Sequence, residues 1–244
     1  MTDNLTPIER KTQADYDAIA DAFARSRFEM HWKEVDDMIG EVPQGAKVLD
    51  IGCGTGRVCR FLSREKTVDY TGIDISDEQL KLAARDCPQG EFVNASMLDL
   101  PFEAASFDAV FMIASLHHLL SEEEHVLALR EAARVLKPEG TLYVTVFGLW
   151  RFASWPFYFQ KAAVKSMVDD VVASQMGWKD VFKKWSMDNG VVVHRVYHAF
   201  TIRELRRLTQ TAGFIIKDIG YRNNGKRVGA LRGKNLVLTA RKMV

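Results

Sequence analysis

The chain reads as an α/β fold, a doubly wound and mostly parallel seven-stranded sheet, on three observations. Short branched apolar runs alternate with stretches of helical spacing through residues 45–147, the pattern of parallel strands joined by crossover helices. The first run, Val48–Ile51, gives way to Gly52, Gly54 and Gly56 before helical spacing resumes at Arg57, Val58, Phe61 and Leu62. Such a loop turns tightly and brings bare backbone close to a ligand at a helix N-terminus. The run Ser106–Ile113 is nearly continuous in apolar residues, as in a strand covered on both faces.

The elements follow in order. Residues 8–39 have helical spacing, with Tyr16, Ile19, Ala20 and Phe23 on one face. After the glycine loop and its helix comes a second strand, Tyr70–Ile73, then a helix opened by Ser76-Asp-Glu-Gln79 in capping-box spacing. Phe92–Ala95 is a third strand and Ser106–Ile113 a fourth, leading into Ala114-Ser-Leu-His-His-Leu119. Ser121-Glu-Glu-Glu124 caps the next helix, Lys137-Pro-Glu-Gly140 stops it, and Thr141–Phe147 is strand five. The alternation then breaks, with six aromatic residues among the twelve from Gly148 to Phe159 and interleaved lysines at 161 and 165. Residues 150–198 read as an aromatic and basic insertion after strand five. Thr201-Ile-Arg-Glu204 opens a last helix, and Phe214–Ile219 and Asn235–Ala240 form an antiparallel closing pair, with Tyr221–Lys234 as a mobile basic loop between them. One domain, 1–244, is expected: N-terminal cap helices (8–39), a ligand-binding core (45–147), the insertion (150–198) and a closing helix and strand pair (199–244).

Composition narrows the classes. A chain of 244 residues with 47% hydrophobic residues can bury a sizeable core. It contains no apolar run of membrane-spanning length, and its first residues do not read as a signal peptide. The three cysteines, Cys53, Cys59 and Cys87, are odd in number and lack metal-ligand spacing; reduced thiols, no metal and a cytoplasmic location are the expectation. The net charge of +1 hides an asymmetry: residues 1–150 carry 15 Lys+Arg against 26 Asp+Glu (−11), and residues 151–244 carry 18 against 6 (+12). A basic half of that size suits an acidic partner such as nucleic acid, or else the two halves attract each other.

The loop chemistry points to a ligand. A dinucleotide fingerprint wants its third glycine at position 57, where Arg57 stands. Asp74 ends strand two, 22 residues after Gly52, and an acidic side chain there suits the hydroxyls of a ribose. Asp50, two residues before the first glycine, suits a cationic ligand better than a pyrophosphate. His117 and His118 fall in the loop after strand four, where open α/β sheets place ligands.

These residues resemble the glycine motif and acidic partner of the Rossmann-like S-adenosylmethionine-dependent methyltransferases. Ser96-Met-Leu-Asp-Leu-Pro-Phe102 is similar to the segment that lies against the adenine in that class, with Ser96 where an acidic residue is usual. The resemblance implies S-adenosylmethionine as cofactor, held by Asp50, Gly52, Cys53, Gly54, Gly56, Asp74, Ile75, Ser96, Met97 and Ala114. Three further segments look like the tRNA wobble-uridine carboxymethyl methyltransferases: Tyr16-Asp-x-Ile-Ala-x-x-Phe23 with Arg27 and Trp32, Lys179-Asp-Val-Phe-x-x-Trp185, and Arg195-Val-Tyr-His-x-Phe200 with Glu204-Leu205. That resemblance implies esterification of a carboxymethyl group on the wobble uridine, with the anticodon region of tRNA and a small zinc-binding activator subunit as partners. A carboxylate acceptor needs cations, not a base; Arg27, His117 and Arg195 are the candidates, with Trp32, His118, Trp185, Tyr197 and His198 against the substrate. Two alternatives stand beside it. One is a small-molecule O- or C-methyltransferase acting on a phenol- or quinone-like substrate with His117 as base, and the other is a non-catalytic RNA-binding scaffold.

Overall fold

Branched apolar runs and capped amphipathic segments sort into a central sheet flanked by helices in the computed structural model, which describes residues 4–27, 32–150, 170–187 and 190–243. The side chains of residues 27, 170 and 171 are outside that description. In chain order the elements are α1 (Pro7–Arg27), α2 (Lys33–Glu41), β1 (Lys47–Ile51), α3 (Arg57–Glu65), β2 (Asp69–Asp74), α4 (Asp77–Asp86), β3 (Glu91–Asn94) and β4 (Phe107–Ile113). A 3-10 turn at Leu116–His118 leads to α5 (Glu122–Val135) and β5 (Leu136–Phe147). Then come α6 (Asp170–Gln175), β6 (Asp180–Ser186), β7 (Val192–His198), α7 (Ile202–Thr211), β8 (Phe214–Asn223), β9 (Lys226–Arg227) and β10 (Asn235–Lys242).

The main sheet runs β3-β2-β1-β4-β5-β10-β8-β9. Its first five strands are parallel, and β10 is antiparallel to both β5 and β8. The seven expected strands are all present; the eighth is two-residue β9, which pairs with Arg222 and Asn223 of a β8 that extends past the expected end at Ile219. The order reverses between β1 and β4, so the carboxyl ends of β1, β2 and β4 open onto one crevice. Leu49, Ile51, Val110, Met112, Leu142 and Val144 are fully buried, with Leu129 and Ala132 of α5 and Leu205 and Leu208 of α7 in the same core. On the opposite face Val48, Phe111 and Tyr143 meet Val35 and Ile39 of α2 and Val58 and Leu62 of α3.

The capping signals fix two helix starts. Ser121 with Glu124 and Thr201 with Glu204 form complete capping boxes. Ser76 accepts from the Gln79 N–H, but Gln79 turns its amide to the Tyr16 carbonyl instead of back to the cap. The expected 8–39 segment is two helices, α1 and α2. In the insertion the described residues form an antiparallel hairpin, β6 with β7, registered from Asp180↔His198 to Ser186↔Val192. The aromatic run of residues 151–159 and the lysines at 161 and 165 lie outside the described residues.

The cysteine expectation is corrected. Cys59, in the first turns of α3, and Cys87, at the C-cap of α4, form a disulfide; only Cys53 is free, and it is buried. Gly56 packs onto Ala83 of α4, and this approach brings two thiols 28 residues apart to a Cα separation of 6.3 Å, within bridging range. The expected basic loop is shorter: Tyr221 to Asn223 continue β8, and the Lys234 N–H returns to the Arg222 carbonyl.

The hairpin is fixed to α7 by a buried ionic group. His198 Nδ1 lies 2.6 Å from Asp180 Oδ1 and its Nε2 3.3 Å from Glu204 Oε1, while Lys179 Nζ donates to Glu204 at 2.8 Å. Burial disfavours the imidazolium, but the hydrogen bonds to Asp180 and Glu204 outweigh it and raise the His198 pKa above 6.5. Burial likewise pushes the Glu204 carboxyl up, but His198 and Lys179 outweigh it and bring it down to about 2. A histidine raised on folding contributes its full stability below pH 6.5 and loses it as pH rises through the folded value. A glutamate lowered on folding contributes above pH 4.5 and loses it as pH falls toward 2. The melting-temperature gap between wild type and His198→Gln is therefore expected to be widest between pH 4.5 and 6.5 and to shrink on either side; a gap independent of pH would refute the ionic role.

Gly52 sits at φ +75°, and a Cβ there would stand 2.4 Å from the Ser115 Cβ. Gly52→Ala is expected to lose roughly 2–4 kcal/mol of stability from left-handed strain and overpacking, read as an earlier urea midpoint. Gly54, with φ +54° and only Gln79 Oε1 at 3.7 Å, has room for a Cβ, so Gly54→Ala is expected to cost less.

Candidate cofactor and acceptor site

The crevice holds a cavity of about 600 Å³. The β1–α3 loop forms its floor. The Gly52 and Cys53 N–H groups donate to the Ile73 carbonyl, and the Gly54 N–H donates to Asp74 Oδ2 at 2.9 Å. Asp74 takes a second bond from the Ser76 N–H at 3.0 Å. Burial raises its pKa, against the pull of those N–H groups. Gly52, Cys53, Gly54, Asp74, Ile75, Met97 and Ala114 line the cavity.

Asp50, Gly56 and Ser96 do not line it. Asp50 lies behind the loop, where Tyr70 donates to its Oδ2 at 2.8 Å and its Oδ1 has no partner among the described residues. Burial pushes this carboxyl up to about 7, with the Tyr70 bond and Arg57 pulling the other way. Gly56 faces α4. Ser96 Oγ donates to Glu9 of α1, so the hydroxyl points at a helix that crosses the site.

That helix, expected as an N-terminal cap, carries much of the wall. Gln13 donates to the Ile75 carbonyl at 2.7 Å, Ser76 donates to Asp17, and Tyr16 Oη lies 3.1 Å from His118 Nε2. Glu9, Thr12, Tyr16 and Phe23 all line the cavity. Glu9 and Thr12 were not among the expected site residues; their helical spacing of three and four residues from each other and from Tyr16 is the signal that could have added them.

The acceptor half is built on β7. Arg195 lines the cavity and is only 2% exposed. Its guanidinium sits 5.0 Å from the Trp185 ring centre, 5.5 Å from Tyr197, 5.7 Å from Tyr16 and 5.9 Å from Phe23. Nη1 donates to Tyr16 Oη at 3.3 Å, and Nε has no partner among the described residues. The Tyr16 hydroxyl thus bridges the Arg195 guanidinium and the His118 ring. Burial, then the charge of Arg195, brings His118 down to about 3, so it is a neutral imidazole.

The other expected residues divide. Trp32 lines the cavity, under Arg57 at 4.8 Å and stacked near Phe147. His118 is at the wall, but His117 is 0% exposed behind it, between Phe147 and Tyr197, and burial holds its pKa well below 6.5. Tyr197 is fully buried, Trp185 caps Arg195 from β6, and His198 belongs to the group on α7, away from the cavity. Arg27 closes α1, and its side chain lies outside the described residues. Among the described residues no cluster of metal-ligating side chains is found, and no helix is long and apolar enough to cross a membrane.

The donor set fits S-adenosylmethionine. Asp74 offers a carboxylate to a diol, the left-handed glycines expose backbone, and buried carboxylates flank a slot that a sulfonium enters more readily than a pyrophosphate.

Residues 49–144 match the methyltransferase domain family. An Arabidopsis thaliana tRNA (carboxymethyluridine(34)-5-O)-methyltransferase is 36% identical over 132 residues, 54% of this chain and 31% of that protein. A Tropheryma whipplei demethylmenaquinone methyltransferase is 34% identical over 151 residues, 59% of this chain and 62% of that one. The chain thus spans about a third of the plant relative. An S-adenosylmethionine-dependent methyltransferase from Methanosarcina mazei superposes with a TM-score of 0.67 at 24% identity, covering 85% of this chain and 97% of that one. A structure of the Haloferax volcanii Trm112 methyltransferase activator with a methyltransferase gives 0.67 at 18%, covering 94% and 98%. The strand order is that of a Rossmann-like methyltransferase fold, and the matched segment identifies residues 49–144 as a methyltransferase domain.

Proposed function

We propose that this chain transfers the methyl group of S-adenosylmethionine to a carboxylate, and that the acceptor is the carboxymethyl-type group of a modified uridine at the tRNA wobble position. The observation that carries the reading is Arg195, a buried cation on the cavity wall whose Nε has no partner among the described residues and whose nearest acidic influence, Asp15, is itself paired with Lys11. Burying a charge that no direct ion pair neutralises is costly, and an anionic acceptor relieves that cost.

Bound S-adenosylmethionine supplies an electrophilic methyl group on a sulfonium. A carboxylate, with a pKa near ~4, is already ionised and needs no base. The chain's task is orientation. Tyr16 occupies one terminal nitrogen of Arg195 and the four rings fix its plane. Trp32 and Phe147 offer apolar faces to a base, and Lys183, Lys234 and Arg57 on the lining suit phosphates. The similarity to the plant tRNA enzyme supports the nucleic-acid acceptor, and the likeness to the methyltransferase with its activator supports a small zinc-binding activator subunit as partner.

The bacterial quinone relative favours a second reading, methylation of a small phenol or carbon acid. Such an acceptor needs a base. His117 does not line the cavity, and His118, at about 3, is too weak a base at neutral pH. This chemistry ranks the carboxylate first.

Labelled S-adenosylmethionine, incubated with bulk tRNA from cells lacking this protein, is expected to place label in RNA that mild alkali releases as methanol. Alkali-stable label, or label only in small phenols, would reject the ester. Arg195→Met is expected to lower kcat/KM for the tRNA about 10²-fold or more with cofactor affinity unchanged, and equal loss of both would remove Arg195 from the acceptor side.

A further inference from the structure

Glu9 has no role in the reading so far, yet it is a carboxylate 5% exposed on the cavity wall. We infer that Glu9 is the group that recognises the exocyclic amino group of the cofactor's adenine, and so sets its purine specificity. The inference rests on the S-adenosylmethionine pocket described above.

Hydrogen bonds place Glu9 beyond Asp74. The Asp74 carbonyl accepts from the Ala95 N–H at 3.1 Å, and the next residue, Ser96, donates its hydroxyl to Glu9 Oε1. Ala95 and Met97, on either side of Ser96, both line the cavity. The end of the slot past the ribose-binding carboxylate thus has an apolar lining from Ala95 and Met97, which suits a flat ring, and one carboxylate.

The hydrogen-bond inventory says what that carboxylate accepts. Ser96 Oγ receives the Leu98 N–H at 3.0 Å and commits its own proton to Glu9, so it offers the ligand no donor. Glu9 Oε2 receives the Thr6 N–H at 2.9 Å. A carboxylate has about four acceptor positions, and these two bonds leave room for a donor from the cavity. An adenine edge presents an N–H₂ there. A hypoxanthine edge presents an oxygen, which a carboxylate repels. Gln13, one turn further along α1, holds the Ile75 carbonyl and keeps the helix against this end.

The test is calorimetric binding of S-adenosylhomocysteine and of S-inosylhomocysteine to the full chain, without turnover. Wild type is expected to prefer the adenosyl compound by about tenfold or more. Glu9→Gln keeps the shape and the capping bond but can turn an N–H₂ toward the ring; the preference is expected to fall to near unity or invert. Ser96→Ala, which removes the hydroxyl and leaves the carboxylate, is expected to keep it. Glu9→Gln with Ser96→Asp moves the carboxylate across the same hydrogen bond and is expected to restore it. If Glu9→Gln weakens both compounds equally, Glu9 only anchors α1 and the inference is overturned. If wild type binds neither, the cofactor pocket itself is misread, and the inference falls with it.

Discussion

The site depends on one polar face of one helix. Glu9, Gln13, Tyr16 and Asp17 of α1 bond respectively to Ser96, the Ile75 carbonyl, His118 and Ser76. Those partners follow β3, β2, β4 and β2, the carboxyl ends that a doubly wound sheet leaves open at its switch point. Lys11 adds a bond to the His194 carbonyl on β7. The helix therefore ties the core to the hairpin and converts an open crevice into a cavity. Without it, Arg195 would lose Tyr16 and Phe23 from its surroundings and meet water instead.

The charge asymmetry gains meaning from this arrangement. Among the described ion pairs, only Arg207 with Glu122 and Arg241 with Glu139 link the basic second half to the acidic first half, and both pairs are at least half exposed or nearly so. Direct pairs between the two halves are thus few among the described residues, and exposed pairs of this kind contribute little. Lys183 and Lys234 stand on the cavity lining itself.

Local signals in the sequence were enough for the sheet, because parallel strands buried on both faces are continuous apolar runs and Ser121 and Thr201 carry their glutamates three residues on. They were not enough for contacts set by packing. Cys59 and Cys87 meet because Gly56 lets α3 approach α4, and Ser96 meets Glu9 because α1 crosses the sheet edge; neither approach leaves a mark in spacing. His117 and His118 are adjacent, so only the handedness of the 3-10 turn decides that His118 faces the cavity and His117 is buried. The β6–β7 hairpin escaped because its two strands mix charged and aromatic residues, a pattern that also suits a nucleic-acid surface.

The caging of Arg195 by four aromatic rings also bears on how turnover would end. Rings hold a cation weakly and leave it wanting a full negative charge, which the acceptor brings and methylation removes. On the proposed reading, a carboxylate enters as an anion and becomes a neutral ester in the same place. The reaction then discharges the attraction that held its own substrate, and the site favours departure of the product without any separate release device.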